Sequence, residues 1–449
     1  MKILFAAHQF FPEHYAGTEV LTLGLAQELK GRGHEPHVFA AKRSAPVNDI
    51  LPGEVEDYEF EGIPVRRVGR PKEGLSRPYY LDYRNETMAR RVREYALEVG
   101  PDVVHVMHLQ GLSASVVPAL KELGLPVVYT ATDFWTVCPV VDLRRHDGSM
   151  CGGPDLAHCP RCIASRYPGS RTKKAMDLTP NTVLRLAGRL SHTRLADRSL
   201  PLRQIRDLDE RPESIRERMK LVDRIIAPTH LTRELLLANG VGDQNIEVSH
   251  YGIDTSGIAG PPENPNVPPP LRVGFIGTLG PHKGCDLLVR AFKNLPPRLD
   301  ATLTVYGNLE RFKDFVSGLR GLAGDDERIE FAGTFPPQEI GRVLSGIDVL
   351  VVPSRWYENT PLVVYAAFAA GVPAVATDLG GLTEVVEHEK NGLLFGLESV
   401  EDLASQLRRL IDEPGLLGEL RAGIGPVKTV EENADELERL YATLSKEKV

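Results

Sequence analysis

The stretch VVPSRWYENTPLVVYAAFAAGVP, residues 351–373, is predicted to change its secondary structure twice. It begins with an apolar run typical of a buried strand, and Pro353-Ser354 end that run because proline has no amide donor. An apolar helix is predicted to begin after Pro361. The carboxylate of Glu358 lies in the break, and the first turn of the helix carries no charge. A buried strand followed directly by a helix is the repeating unit of a parallel α/β sheet.

The length and composition predict a globular protein with more than one domain. At 449 residues the chain exceeds one ordinary core, and its 42% hydrophobic and 25% charged content is ordinary. The net charge of −8 argues against a nucleic-acid-binding protein. No apolar run reaches the roughly eighteen residues of a membrane span, and the N-terminal apolar run is too short for a secretory signal. We therefore expect a cytoplasmic protein without a transmembrane segment.

Predicted strands and helices alternate along the whole chain, which indicates parallel crossover units and an α/β fold class. The proline-rich stretch SGIAGPPENPNVPPP, residues 256–270, cannot form a helix or an interior strand and is predicted to be a linker. We expect an N-terminal domain over 1–255 and a C-terminal domain over 271–428. A final helix within 429–449 is expected to cross back to the first domain. Two doubly wound, Rossmann-like domains would then face a central cleft between the carboxyl ends of their sheets.

A second strand, loop and helix occur in VGFIGTLGPHKGCDLL, residues 273–288. The strand ends at Gly277, Lys283 lies in the loop, and the helix begins at Gly284-Cys285. A cation beside a helix N-terminus favours a phosphate group, because free amides and the helix dipole both attract anions. The alternative is that Lys283 is an ordinary solvated lysine. Together with the helix after residue 361, two helix ends in one sheet suit a diphosphate.

Further blocks follow one another along nearly the whole chain and carry a family resemblance. They are FFPEHYAGTE (10–19), APTHLTRELLLANGV (227–241), IEVSHYGID (246–254), VYGNL (305–309), FAGTF (331–335), FAAGVPAVATDLGGLTEVV (368–386) and NGLLF (391–395). With the two stretches described above, their order and spacing resemble retaining, nucleotide-sugar-dependent glycosyltransferases of family four. That family has the GT-B architecture of two Rossmann-like domains.

The resemblance implies transfer of a sugar from a nucleoside diphosphate sugar to an acceptor with retention of anomeric configuration. Lys283 is expected to hold the diphosphate, and Glu358 to lie near the sugar hydroxyls as the first acid of an E-x7-E motif. No divalent cation is expected in the reaction, because protein groups supply the positive charge. The other positions matching the family's donor site are Gly17, Gly277, Thr278, Gly307, Thr334, Phe335, Asn359, Thr360, Pro361 and Leu362.

Some positions depart from the family pattern. Thr278 replaces an arginine, Thr132 occupies the place of a histidine, and Ala366 stands where the second acid of E-x7-E belongs. Threonine cannot perform acid–base chemistry, so His108, or His105 in the same strand, is the candidate substitute. Two alternatives stay open: a sugar-nucleotide epimerase, which shares the two-domain architecture, and a catalytically weakened sugar-nucleotide-binding protein, which the departures at Thr132 and Ala366 leave open.

Four of the five cysteines lie in a predicted insertion, residues 133–168, with the spacing C-x12-C-x7-C-x2-C: Cys138, Cys151, Cys159 and Cys162. Structural disulfides are not expected in a cytoplasmic protein. Four thiolates in a glycine- and proline-rich loop suit a tetrahedral, structural zinc site. Free thiols and an iron–sulfur cluster are the alternatives.

The segment 175–222 is predicted to be helical and is rich in arginine. Arginine binds phosphate groups and anionic lipids well, so this segment is a candidate acceptor site or peripheral membrane contact. The alternative is an ordinary solvated helical face. The acceptor class, whether a glycan, a lipid-linked sugar or a small molecule, cannot be derived from these residues.

Overall fold

The computed structural model describes residues 1–13, 16–42, 53–69, 77–166, 169–194, 196–242, 245–260, 270–296 and 299–446. The chain divides into two compact units: residues 1–250 together with the C-terminal helix, and Tyr251–Thr429. The predicted linker begins a few residues after this division, and most of it lies outside the described residues. None of the described helices is long and apolar enough to span a bilayer.

Each unit is built from strands and helices in alternation, in agreement with the predicted pattern. The strands are β1 (Lys2–Ala7), β2 (Glu35–Lys42), β3 (Val55–Phe60), β4 (Ile63–Gly69), β5 (Val103–Val106), β6 (Val127–Thr130), β7 (Arg224–Ala227), β8 (Ile246–Val248), β9 (Leu271–Ile276), β10 (Ala301–Tyr306), β11 (Ile329–Gly333), β12 (Val349–Val352), β13 (Ala374–Thr377) and β14 (Gly392–Phe395). The helices are α1 (Gly17–Gly31), α2 (Pro78–Leu81), α3 (Glu86–Val99), α4 (Val116–Lys121), α5 (Cys159–Ser165), α6 (Arg171–Leu178), α7 (Asn181–Ser191), α8 (Leu200–Met219), α9 (His230–Ala238), α10 (Cys285–Lys293), α11 (Lys313–Ala323), α12 (Ile340–Ser345), α13 (Leu362–Ala369), α14 (Val400–Asp412), α15 (Leu416–Ala422) and α16 (Val430–Lys446).

The sheets have the topology of doubly wound domains. The first runs β3-β4-β2-β1-β5-β6-β7-β8 and the second β11-β10-β9-β12-β13-β14. Neighbouring strands are parallel except β3 and β4, which are antiparallel. The chain reverses its winding between β1 and β5 in one sheet and between β9 and β12 in the other. Open α/β sheets bind ligands at such switch points, beside the carboxyl ends of the strands. The predicted α/β class with two Rossmann-like domains is confirmed.

The central strands are buried on both faces, which explains their continuous apolar sequences. Every residue of β5, β6, β12 and β13 is buried. The edge strand β3, with the sequence VEDYEF, has no buried residue and escaped prediction because its acidic side chains resemble those of a loop. Helix α3 begins at Glu86 because Asn85 caps its start, accepting a hydrogen bond from the amide of Met88 at 3.1 Å.

The C-terminal helix α16 belongs to the first unit, where it packs on α1. Its Tyr441 hydroxyl lies 2.5 Å from Nδ1 of His105, whose Nε2 lies 2.7 Å from the Thr130 hydroxyl. Burial lowers the pKa of His105 to about 3, so this ring is neutral and needs one donor and one acceptor partner. His105 is therefore a structural residue, and the suggestion that it substitutes for a catalytic histidine is wrong.

The substitution Tyr441→Phe is expected to destabilise the first unit by about 1–3 kcal/mol, because it leaves a buried ring nitrogen of His105 without a partner. Tyr365→Phe in the second unit is the control, since the Tyr365 hydroxyl bonds none of the described residues. Denaturant unfolding followed by circular dichroism measures both variants. Equal unfolding midpoints would contradict a structural role for the Tyr441–His105 contact.

Candidate active site

Two loops meet at the switch point of the second sheet. One follows β9 and contains Lys283, and the other follows β12 and contains Glu358. These strands are parallel neighbours, with Val349 opposite Val273 and Leu350 opposite Gly274. Because the carboxyl ends of parallel strands lie at the same edge of a sheet, two residues 75 positions apart come into contact.

Lys283 and Glu358 form a close ion pair with 2.6 Å between Nζ and Oε1. The same carboxylate oxygen accepts hydrogen bonds from Oγ of Ser354 at 2.5 Å and Nε1 of Trp356 at 3.0 Å. Burial raises the pKa of Glu358, but the Lys283 ammonium and the hydrogen bonds outweigh it and hold the pKa below its usual value. None of the described residues donates to the other oxygen, Oε2, so an ionised carboxylate presents one unused acceptor.

An arginine clamps the two loops together. Arg355 donates two hydrogen bonds to the carboxylate of Asp286, at 2.7 and 2.8 Å, and its amide donates to the carbonyl of His282 at 2.9 Å. The backbones approach most closely at Gly284, which has a φ of 67°. A Cβ there would lie 1.9 Å from the carbonyl oxygen of Pro353. Only glycine therefore fits this position, and the Lys283 loop is fixed in place.

The entrance to α13 differs in part from the prediction. We expected its first-turn amides to be free, but the amide of Leu362 donates to the carbonyl oxygen of Thr360 at 3.0 Å, so that expectation is wrong for Leu362. The Thr360 hydroxyl, in contrast, is buried and has no hydrogen-bond partner among the described residues. Asn359 and Pro361 complete this turn, and no acidic or basic side chain lies in the first turn of the helix.

The remaining matched positions of the second unit lie where β9, β10 and β11 end: Gly277, Thr278, Gly307, Thr334 and Phe335. A Cβ on Gly307 would lie 2.3 Å from the carbonyl oxygen of Gly277, so these two strand ends are in close contact. The ring of Phe335 packs edge-on against Tyr306 at 5.5 Å between centroids. The structure thus brings all of these positions to the same sheet edge as Lys283.

Ala366 lies on α13, four residues after Leu362, the first residue of the helix. It is only 9% exposed and belongs to an apolar cluster that includes Val343, Leu344 and Ala376. Its methyl group cannot accept a hydrogen bond. A carboxylate at this position would lose hydration in an apolar environment, which would lower the stability of the second unit.

A second set of polar residues lies at the switch point of the first sheet. His108 follows β5, and its Nε2 lies 2.5 Å from Oδ2 of Asp133. Its Nδ1 accepts from the amide of Gln110 at 2.9 Å, so Nε2 carries the proton and donates to Asp133. The ring of His8, which follows β1, packs against His108 at 4.1 Å between centroids, and its Nε2 lies 3.4 Å from the Glu19 carboxylate.

Sequence reasoning identified His108 but missed His8 and Glu19. A signal was available, because His8 follows β1 as His108 follows β5, and both strands flank the switch point. Glu19 is fully buried in the first turn of α1, where it accepts from the amide of Ala16 at 2.7 Å, and burial raises the pKa of this carboxyl. Gly17 is exposed at the start of the same helix. Thr132 donates to the carbonyl of Met107 at 2.7 Å and so fixes the backbone.

The four clustered cysteines line one small cavity of about 20 Å³, together with His158. All are free thiols in this structure, as is Cys285, which is buried in the core of the second unit. Burial raises the pKa of Cys159 to about 12 and that of Cys162 to about 11. These groups are therefore protonated thiols unless a cation lies beside them.

Two family models match the chain: Glycosyltransferase Family 4 over residues 15–256 and Glycosyl transferases group 1 over residues 270–413. A D-inositol 3-phosphate glycosyltransferase of Pseudarthrobacter chlorophenolicus is 30% identical over 203 residues, which cover 40% of this chain and 48% of that protein. A 2-deoxystreptamine glucosyltransferase of Streptomyces kanamyceticus is 33% identical over 153 residues, covering 34% and 39%. The chain thus spans less than half the length of these curated relatives.

Solved structures share the fold over nearly the whole chain. Sucrose-phosphate synthase of Thermosynechococcus elongatus matches with a TM-score of 0.64 at 16% identity, covering 99% of each chain. HepE of Anabaena, solved with UDP, matches with a TM-score of 0.61 at 18% identity, covering 100% of this chain and 98% of that one. Fold and family models together define the class as glycosyltransferases of GT-B architecture. The chain belongs to Glycosyltransferase Family 4.

Proposed function

We propose that the protein transfers a sugar from a nucleoside diphosphate sugar to an acceptor with retention of anomeric configuration. The observation that carries this proposal is the Lys283–Glu358 pair at the switch point of the second sheet. A cation beside an ionised carboxylate supports binding of a diphosphate next to sugar hydroxyls. Solved structures of HepE from Anabaena contain UDP, UDP with glucose, or UDP-glucose, which supports a nucleotide-sugar donor for this chain.

Lys283 is proposed to stabilise the charge that develops on the leaving diphosphate as the glycosidic bond breaks. Its side chain is held by the clamped loop and is only 24% exposed, so its attraction for phosphate is screened less than that of a surface lysine. The Thr360 hydroxyl, which has no hydrogen-bond partner among the described residues, is proposed as a second donor to the leaving diphosphate. With these charges in place, we propose that transfer requires no divalent cation.

Glu358 is proposed to orient the donor sugar. In this structure Oε1 has three donors, and the strongest is the Lys283 ammonium. When Lys283 turns to a diphosphate, Oε1 keeps the hydrogen bonds from Ser354 and Trp356, and Oε2 is the oxygen available to sugar hydroxyls. A buried, ionised carboxylate binds hydroxyl groups through charge-assisted hydrogen bonds, which place the anomeric carbon for attack.

His108 is proposed to contact substrate from the first unit. Its Nε2 proton points to Asp133, which fixes the orientation of the ring and the tautomer with the proton on Nε2. Because Nδ1 already accepts from the Gln110 amide, a substrate contact would replace one of these two hydrogen bonds. We place the protein in the cytoplasm, where thiols such as its five free cysteines stay reduced.

The direct experiment is to screen nucleoside diphosphate sugars for thermal stabilisation and then to analyse the products formed with candidate acceptors. A glycosylated product with the donor's anomeric configuration, seen by NMR, supports the proposal. A product with the opposite anomeric configuration would overturn the proposed retention. An altered nucleotide sugar formed without any acceptor would indicate an epimerase. Binding without turnover would indicate a weakened binding protein, the alternative that Ala366 and Thr132 favour.

The acceptor is proposed to lie at an anionic membrane surface. Helix α7 packs into the first unit through Leu184, Gly188 and Ser191. The opposite face exposes three apolar side chains at helical spacing: Val183 at 49%, Leu186 at 53% and Leu190 at 38%. Exposed Arg185 and Arg189 lie beside them. Apolar residues flanked by arginine are the pattern of helices that lie in a lipid headgroup layer.

Lys283→Ala is expected to weaken nucleoside diphosphate binding by about 1.5–3 kcal/mol, the value of a hydrogen bond to a charged group. The affinity for the nucleoside alone should change far less, because it has no phosphate. Isothermal titration calorimetry measures both, with Lys293→Ala as the control, since Lys293 donates to the carbonyls of Leu322 and Ala323 at the end of α11 in the same unit. Equal losses for nucleoside and nucleotide would show that Lys283 supports the fold and not the phosphates.

Ala366→Glu is expected to tighten nucleotide-sugar binding by roughly 1–3 kcal/mol through charge-assisted hydrogen bonds to the donor ribose. Glutamate has good helix propensity, but its apolar surroundings should lower the melting temperature of the ligand-free protein. Ala366→Gln has the same size without the charge and should give a smaller gain. If the glutamate variant folds and binds the donor no better than the wild type, position 366 does not face the ribose.

The double variant Val183→Ser/Leu186→Ser is expected to reduce binding to anionic lipid vesicles more than tenfold, because each side chain loses part of about 1.5–3 kcal/mol of apolar burial. Vesicle co-sedimentation measures this, and binding by the wild type should fall with added salt. Leu97→Ser/Leu221→Ser removes two exposed leucines elsewhere in the first unit and should leave binding unchanged. Equal binding by both double variants would exclude α7 as the contact surface.

A further inference from the structure

We propose that Cys138, Cys151, Cys159 and Cys162 form a structural zinc site that fixes the insertion after β6 to the first unit. The four thiols line one cavity although they come from three separate local structures. This site takes no part in sugar transfer and is independent of the function proposed above. Its chemical class is a closed, tetrahedral site with four sulfur ligands.

The backbone around each cysteine explains why the thiols converge. The amide of Cys138 donates to the carbonyl of Phe134 at 2.7 Å, which ends a tight turn after β6. Cys151 ends a short hairpin, where its amide donates to the carbonyl of Leu143 at 2.8 Å. Cys159 and Cys162 are three residues apart on α5, so they lie on the same side of that helix. A turn, a hairpin and a helix therefore bring all four cysteines to the lining of one cavity.

The size of the cavity decides what can fill it. About 20 Å³ is room for a single ion or water and excludes an organic ligand. A water molecule needs several polar partners, whereas the lining is mostly sulfur and apolar carbon. Sulfur is a soft ligand that selects zinc or iron–sulfur clusters, and a cluster requires more space than one ion. Zinc therefore fits best.

A zinc ion would cross-link the short segments of the insertion. The insertion buries Phe134, Trp135 and Leu143, but helix α5 has only 7 residues, and α6, which follows the insertion, buries none of its side chains. An ion held by a turn, a hairpin and a helix would add its binding free energy to the folding of these segments. The site would also fix the turn that begins at Asp133, whose carboxylate accepts from the amide of Trp135 at 2.8 Å and contacts His108.

A competing ligand set lies nearby. Among the described residues, the group of candidate ligand atoms all within 4.8 Å of one another is His146, Asp147 and His158. The cysteine sulfurs must therefore move closer together to share one ion. His146 and Asp147 are exposed, whereas Cys138, Cys159 and Cys162 are at most 9% exposed. Burial favours the cysteines, since a structural ion is shielded from water.

Metal analysis of the full chain, purified under reducing conditions, tests the proposal. We expect about one zinc ion per chain and, by X-ray absorption, sulfur ligands at about 2.3 Å. These measurements use the wild type, so they do not depend on the folding of a variant. Protein without zinc or iron, zinc bound by nitrogen and oxygen, or bound iron in place of zinc would each overturn the proposal.

Variants then identify the ligands. Cys159→Ser and Cys162→Ser should each lose most of the zinc and lower the melting temperature of the first unit. Cys285→Ser, a buried cysteine of the second unit, should keep the zinc and is the matched control. His146→Ala/His158→Ala should also keep it. Zinc that is lost from the histidine variant but retained by both cysteine variants would assign the ion to the competing set and overturn the four-cysteine site.

Discussion

The contact between the Lys283 ammonium and the Glu358 carboxylate depends on a constraint that shapes the whole second unit. The winding of a parallel sheet reverses once, and only at that reversal do two loops leave neighbouring strands without a helix filling the space between them. The Arg355–Asp286 pair and the close approach at Gly284 then fix the two loops. A buried charge pair is stabilising only when its geometry is maintained, so the Lys283–Glu358 pair depends on the Arg355–Asp286 clamp.

The first sheet also has a switch point, but different side chains lie there. Its switch point brings together two histidines and two acids, with Asp133 fixing the proton position of His108. Thr132 and His105, the other candidates in this region, are occupied by structural contacts to the Met107 carbonyl and to Tyr441. His105 lies inside β5 and is held by structural contacts, whereas His108 follows the strand and contacts Asp133. The C-terminal helix α16 makes this distinction, since it covers His105 and leaves His108 to Asp133.

Two parts of the first unit are not required by the sheet. The cysteine-rich loop and helix α7 lie between β6 and β7, where a doubly wound domain needs only one crossover helix. The loop brings four cysteines to one cavity, and α7 exposes apolar side chains that ordinary packing would cover. Both features depart from what folding alone favours, which is why we interpret one as a metal site and the other as a contact surface.

The alternation of apolar runs and amphipathic stretches determined the fold class and the strands that flank both switch points, because buried parallel strands have continuous apolar sequences. The family blocks identified Lys283 and Glu358. Local sequence could not reveal β3, His8 or the buried Glu19, since an edge strand carries polar residues and a buried acid has no signature of its own. Two expectations from the sequence were wrong: the Leu362 amide is hydrogen-bonded and not free, and His105 makes structural contacts. Tertiary structure alone decided these points, because hydrogen-bond partners and burial depend on elements distant in the chain.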